Sequence, residues 1–426
     1  MIVVAGHLCL DVIPAIGHEA VLEPGALVEV GSASFATGGA VANVGLSLAR
    51  LGLEPTLVGR IGDDPFGEIL RELLTNVSGG ASGRSTPQPT LAIGAAVGES
   101  TSYTIVISPR NRDRTFLHHP GCNDTASVSD FRLERWSDAR ILHFGYPPLM
   151  RGVYEDGGEA LATAFESLRK RGVTISLDMA MPDPSGPSGR VDWTSFLGRV
   201  LPHVDLFLPS WDETCFMLEP GVPRSAPTAK RLALFAERFV EAGAAVVGLK
   251  LGEDGLYLRT ADLGRIECAG RAAPPSSWAQ RELLSPNYKV EARGTTGAGD
   301  ATIAGLLASL AHRLPIEKAA GMAAAAGACS VEGVDASGGV RSWRETMSRV
   351  SGGWQREQSR VVGEPGTQPD DGLIAPTRIV GQTGDQEDGR LSAPTRAADL
   401  GDGDQGWLLE PRTGVWMGPH DQGGGE

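Results

Sequence analysis

Short apolar runs alternate with helix-patterned segments along most of the chain, and this alternation limits the possible folds more than any other feature. Residues 2–5, 56–58, 141–144, 174–177, 206–208 and 246–249 are apolar runs bounded by breakers, and residues 41–51, 158–171 and 229–242 carry apolar side chains at helical spacing. A strand buried on both faces needs no polar alternation, and a crossover helix carries the chain to the next parallel strand. The pattern therefore predicts an α/β fold with an open, mostly parallel sheet flanked by helices on both faces. Residues 26–30 and 102–107 alternate with period two and predict antiparallel hairpin material. At 426 residues, the chain can bury a substantial core.

The run Gly294-Thr-Thr-Gly-Ala-Gly-Asp300 precedes a stretch, 301–310, that is apolar almost all round and predicts a buried helix; residues 288–292 before it read as a short strand. Glycines at such a strand-to-helix turn expose backbone N–H groups at the positive end of the helix dipole, which attracts phosphate. A carboxylate placed there is repelled by phosphate unless it has a task, and the natural one is accepting the proton of a hydroxyl that attacks a phosphoryl group. The competing reading is that Asp300 only caps the helix.

These residues resemble the C-terminal signature of the ribokinase-like (PfkB) family of carbohydrate kinases. Gly38-Gly39-Ala-Val-Ala-Asn43 resembles the family's N-terminal Gly-Gly-x-x-x-Asn pattern, and Gly59-Arg-Ile-Gly-Asp-Asp-Pro-Phe-Gly67 its next block. Weaker similarity runs through residues 121–123, 176–178 and 209–213, and the resemblance covers about 1–345. It implies a ribokinase-like domain over 1–345, with a small β lid from strands within about 11–37 and 90–120. It also implies ATP-dependent phosphorylation of a sugar hydroxyl with Mg2+, Asp300 as general base, and the backbone amides of Gly297, Ala298 and Gly299 around the transferred phosphoryl group. Asp11, Gly38, Gly39 and Asn43 would hold sugar hydroxyls. Lys250, Gly252, Gly255 and Thr296 would serve the nucleotide. Glu213 stands for the acid of the family's Asn-x-x-Glu motif, which organises Mg2+ through water, although Ser210 replaces the Asn. Gly294 replaces an Asp that helps build a monovalent-cation site in many relatives, so whether potassium activates this chain is left open. The family also implies a homodimer through the lid.

Other classes fit less well. No Gly-x-Gly-x-x-Gly follows the first apolar run and no Gly-x-x-x-x-Gly-Lys-Ser/Thr occurs, which argues against a nicotinamide dehydrogenase and a P-loop enzyme. A nucleoside kinase of the same superfamily and a silent sugar-binding regulator remain as alternatives; an intact Asp300 counts against the second. The formal charge of −14 argues against nucleic acid and gives no support for an anionic membrane surface. Five scattered cysteines point to buried free thiols in a reducing compartment. With no signal-like N-terminus and no apolar run of membrane-spanning length, the expectation is cytoplasmic. His118-His119 read as lid surface rather than metal ligands.

Two segments break the pattern. Residues 76–89 are rich in Gly, Ser and Pro and predict a flexible loop. Residues 351–426 hold 13 acidic side chains against six Arg and no Lys, so half the net charge lies there. Such a segment buries too little apolar surface to offset its ordering entropy, so 346–426 is expected to be an acidic, disordered tail in which Trp407 and Val415-Trp416 dock at most locally.

Overall fold

The computed structural model describes residues 1–16, 24–25, 27–75, 86–108, 115–222, 225–333, 335–361, 407–410 and 412–418. Its strands, in chain order, are β1 (Ile2–Gly6), β2 (Cys9–Pro14), β3 (Ala33–Gly38), β4 (Pro55–Gly62), β5 (Thr90–Ala96), β6 (Tyr103–Ile107), β7 (Thr115–His119), β8 (Ile141–Gly145), β9 (Thr174–Leu177), β10 (Leu206–Phe207), β11 (Val246–Lys250), β12 (Leu256–Thr260), β13 (Glu282–Ser285), β14 (Leu408–Glu410) and β15 (Val415–Met417). Eleven form one sheet in the order β14-β15-β13-β12-β11-β10-β9-β8-β1-β4-β5. From β5 across to β11 every pairing is parallel, and from β11 outward every pairing is antiparallel.

β1 explains how the layers form. All five of its residues are buried, and alternate side chains enter opposite cores. Val3 and Ala5 join one cluster, with Leu161, Phe165, Phe196, Leu232 and Phe235 from the helices Glu159–Lys170, Trp193–Val200 and Ala229–Glu241. Ile2 and Val4 join the other, with Val41, Leu48, Leu70, Ile303 and Leu307 from Gly39–Arg50, Pro65–Thr75 and Ala298–Ala311. On that second face, the helices Ala298–Ala311 and Ile316–Ser330 approach so closely that a Cβ on Gly305 would lie 2.8 Å from Ala326 Cβ. Small side chains are required at that contact.

The lid is the sheet β3-β2-β6-β7, in which β2 pairs antiparallel with β3 and parallel with β6. Its strands lie close to the expected 11–37 and 90–120, with β2 beginning at Cys9 and β3 ending at Gly38, and β5, inside the second range, belongs to the main sheet. The strand anticipated at 26–30 does not form; residues 27–30 are irregular, and the partner of β2 begins at Ala33. The strand anticipated at 288–292 is absent too. Tyr288 makes one bridge, to Arg356, and Lys289 N donates to Gln355 O, so this stretch pairs with the segment after the last helix rather than with the sheet. Of the predicted loop at 76–89, residues 76–85 lie outside the described residues and 86–89 are irregular.

Two parts of the segment from 346 onward belong to the folded body. Helix Trp343–Ser351 runs past that boundary, and near the other end β14 and β15 form a hairpin that pairs with β13. Trp407 is 8% exposed and Val415 fully buried, one in each core cluster. A composition too polar for a domain of its own still supplies enough apolar surface to cover the open edge of an existing sheet. Residues 362–406 lie outside the described residues.

Candidate active site

The sheet order reverses direction at β1: the chain goes from β1 to β4 and β5 on one side, then returns to β8 on the other. Open parallel sheets form their crevices at such a switch point, beyond the carboxyl ends of the strands. Here each strand end delivers a polar side chain: His7 after β1, Tyr146 after β8, Asp178 after β9, Glu213 shortly after β10 and Lys250 at the end of β11.

Asp300 enters from the opposite side, in the first turn of helix Ala298–Ala311, and is 3% exposed. Gly297 caps that helix through its backbone alone, with φ +77°, and a Cβ there would lie 2.4 Å from Ala336 O. Both the dihedral and the close approach demand glycine. Asp300 does not cap: its oxygens accept from Asn43 Nδ2 (3.0 Å to Oδ2) and from the Tyr146 hydroxyl (2.9 Å to Oδ1, 2.8 Å to Oδ2). Burial pushes its carboxyl above the ordinary carboxylate range, and Lys250 with the two donors pulls it back only in part. A buried acid with a raised pKa beside a helix N-terminus suits proton transfer.

Lys250 is no surface charge. Its ammonium lies 2.5 Å from Asp178 Oδ1, its side chain is 11% exposed, and its stem passes the position where a Cβ on Gly299 would stand, 3.4 Å away. Burial would depress its pKa, but Asp178, Glu213 and Asp300 outweigh burial and raise it, so Lys250 stays charged. Glu213 closes a capping box with Ser210: Ser210 N donates to Glu213 Oε2 at 2.7 Å and Glu213 N to Ser210 Oγ at 3.2 Å. The Ser in the family's Asn position thus holds this acid in place.

In the lid, Asp11 of β2 is 7% exposed and Gly38 is pressed against it; a Cβ there would sit 2.4 Å from Asp11 Oδ1. Gly39 has φ +83° and abuts His7 O and Nδ1. Asn43 Oδ1 and both His7 ring nitrogens are buried with no hydrogen-bond partner among the described residues. The His7 ring lies 5.3 Å from that of His118 and 6.2 Å from that of Tyr146. His118, exposed on lid strand β7 as expected, has its Nδ1 3.0 Å from Thr104 Oγ1. Gly252 (φ +59°) and Gly255 (φ +99°) form the turn after β11, and Asn287 Nδ2 donates to Gly252 O at 2.6 Å. Thr296 lies in the loop just before Gly297. Gly294 is buried and its N–H donates to Val331 O at 3.2 Å. The five cysteines are free, Cys268 exposed and the others buried.

Fold and site together point to one family, and the comparisons agree. The pfkB family carbohydrate kinase model matches residues 1–78 and 94–342. The chain belongs to the PfkB family of carbohydrate kinases. Fructokinase-1 from Oryza sativa subsp. japonica is 24% identical over 337 residues, covering 77% of this chain and 90% of the relative. The ribokinase of Arabidopsis thaliana, solved with ribose and ATP, superposes with a TM-score of 0.59 at 19% identity, covering 82% of this chain and 97% of the other. An Escherichia coli putative ribokinase II in complex with ATP and Mg2+ gives the same TM-score, identity and coverage. Among the described residues, no helix is long and apolar enough to cross a membrane.

The structure therefore gathers Asp300, Asn43, Lys250, Glu213 and Gly297 to Gly299 of this kinase around one crevice, with Asp11 and Gly38 in mutual contact at the lid. Gly252 and Gly255 stand apart in the turn beyond Lys250. Tyr146, His7 and the Asp178–Lys250 pair escaped the sequence reading. The available signal was position: each follows a predicted parallel strand, where crevices form.

Proposed function

We propose that this kinase transfers the terminal phosphoryl group of ATP to a hydroxyl of a small, neutral sugar. The observation that carries the reading is Asp300, buried at the first turn of its helix and held by Asn43 and Tyr146 instead of capping. The sugar hydroxyl gives its proton to Asp300 as its oxygen attacks the phosphorus in line, and the amides of Gly297, Ala298 and Gly299 meet the charge on the transferred group. Asp11, Asn43 Oδ1 and His7, beside the Gly38-Gly39 turn, offer acceptors that match sugar hydroxyls. A sugar acid would set its own carboxylate against Asp11 and Asp300, which disfavours it. Lys250 and Thr296, with the turn of Gly252 and Gly255, serve the nucleotide.

The donor set also suits Mg2+. Asp178 Oδ2 is buried without a hydrogen-bond partner among the described residues, and Glu213 keeps one oxygen outside its capping box. Three carboxylates face one ammonium there, so a triphosphate needs a counter-cation. Among the described residues no cluster of three His, Cys, Asp or Glu side chains holds a metal alone, and phosphate-bound Mg2+ needs only one or two carboxylates. Asp178 and Glu213 would hold it directly or through water, and when bound it neutralises phosphate charge. On the lid, Phe35, Phe116 and Leu117 are 42, 53 and 52% exposed, apolar surface that a lid-to-lid homodimer would cover; sedimentation measures this.

The test is MgATP consumption over ketoses, aldoses, keto-deoxy sugar acids and nucleosides, with Asp300→Asn beside the parent. Turnover on a neutral sugar, lost in the variant, supports the reading. Preference for a sugar acid or a nucleoside overturns the substrate class, and full turnover in Asp300→Asn overturns the base.

A further inference from the structure

Tyr146 holds a strained backbone at the end of β8. It has φ +63° and ψ +47°, the left-handed region that a bulky side chain rarely adopts, directly after β8 and before Pro147-Pro148. Its neighbour Gly145 fixes the approach of this corner, since a Cβ there would meet Ala40 Cβ at 2.1 Å. The twisted backbone sends the phenol across the crevice to Asp300, on the far side of the chain's fold.

The hydrogen count at that contact is informative. The phenol oxygen stands 2.9 Å from Oδ1 and 2.8 Å from Oδ2, yet it owns a single hydrogen and donates fully to one oxygen at a time. Asn43 Nδ2 already donates to Oδ2. Among the described residues Tyr146 is the sole hydrogen-bond partner of Oδ1, so the two carboxylate oxygens differ in what holds them.

We propose that Tyr146 is the positioning residue of the base: it holds Asp300 in the sugar-free site, then commits its hydrogen to Oδ2 alongside Asn43, leaving Oδ1 to take the proton of the sugar hydroxyl. This rests on the reading of Asp300 as base. The step balances without another reactant. The hydroxyl proton moves to Asp300 Oδ1, the sugar oxygen bonds to the γ-phosphorus, and the bond from that phosphorus to the ADP oxygen breaks. Tyr146 keeps its proton throughout; burial, then Asp300 and Asp178, raise its pKa well above the ordinary phenol value.

The other groups facing Asp300 are Lys250, which stabilises its charge, Asp178 and Glu213, which share the field of Lys250, and the thiol of Cys9. Behind Tyr146 lies His7, with His118 beyond it on the lid. Burial depresses the pKa of His7, then the neighbouring His118 adds to that, so His7 is neutral. None of these donates a hydrogen bond to Asp300, so loss of the phenol hydroxyl removes a stabiliser of the carboxylate that nothing replaces.

The experiment is the pH profile of kcat/KM for the best sugar, measured on the full chain for the parent, Tyr146→Phe and Asp300→Asn, with thermal melting as the check on folding. In Tyr146→Phe, Asp300 loses a donor to its charged form, so the acidic limb moves up by about one pH unit. The plateau falls roughly tenfold, carried by kcat with the sugar KM little changed. Tyr146→Asn keeps a residue at ease in the left-handed region, and it should move the limb the same way if Tyr146→Phe melts too low for assay. A limb that stays in place or moves down in a folded variant, while Asp300→Asn is inactive, overturns the inference and leaves the base assignment standing. Full turnover in Asp300→Asn overturns both.

Discussion

The crevice at the carboxyl ends of β1 and β8 to β11 and the antiparallel edge formed by β12 to β15 are both rich in charge, and they treat their polar groups in opposite ways. At the crevice, both His7 nitrogens, Asn43 Oδ1 and Asp178 Oδ2 are buried with no hydrogen-bond partner among the described residues. At the edge, one side chain joins separate segments: Arg356 donates to Thr413 O (3.0 Å), Ser285 Oγ (2.9 Å), Pro286 O (2.5 Å) and the Tyr288 hydroxyl (2.9 Å), and its guanidinium stands 4.2 Å from the Tyr288 ring centre. Glu282, 2% exposed, accepts from Tyr257 and Arg259. Buried polar atoms left without partners cost stability and persist where a ligand completes them, whereas a closed network marks a joint that only has to hold.

That contrast predicts separable defects. Asp300→Asn should lower kcat by roughly two to four orders of magnitude while the protein stays folded, and steady-state assay with melting checks both halves. At the edge, Arg356→Ala should cost about 2–3 kcal/mol of stability by leaving several acceptors unpaired, with kcat/KM within about twofold of the parent. Denaturant unfolding reads the first and sugar kinetics the second; a large loss of activity at equal stability would break the distinction.

The smaller effects sharpen it. Burial raises the pKa of Asp300 in the folded protein, so its ionised form opposes folding above the unfolded-state value near 4, and stability recovers as pH falls through the folded value. Asp300→Asn should therefore melt slightly higher than the parent at pH 7, by up to about 1 kcal/mol, as expected where activity and stability compete. Smallest is Arg360→Ala. Arg360 pairs with Glu253 and with Asp254 (2.8 Å) beside the Gly252 turn, but its side chain is 61% exposed. Its removal should change stability by no more than about 0.5 kcal/mol and the ATP KM by less than about twofold, with the difference fading in high salt.

Much of this was legible beforehand because its signals are local. The runs at 2–5 and 246–249 are apolar throughout, as strands buried on both faces must be, and they lie at β1 and β11. The glycines before Asp300 are demanded by a positive φ at Gly297 and a close approach to Ala336, which a glycine pattern records directly. The segment at 288–292 misled because its alternation carries no information about whether a sheet edge or the segment at 354–357 is nearer. Composition misled at the C-terminus for a similar reason. Averaged over 351–426 it describes a solvated chain, yet two strands of three residues each dock because β13 offers them an open edge.

The sequence alone determined the layered α/β plan, the lid and the family, and singled out Asp300 as the candidate base, because each rests on periodicity or on residues adjacent in the chain. Tertiary structure alone decided that Tyr146 and Asn43 share the Asp300 carboxylate, that Lys250 pairs with Asp178, and that residues 407–418 complete the sheet. Asn43 and Asp300 are 257 residues apart and Tyr146 and Asp300 are 154 apart. Contacts of that kind leave no local pattern, since they depend on where separate strand ends converge once the sheet has formed.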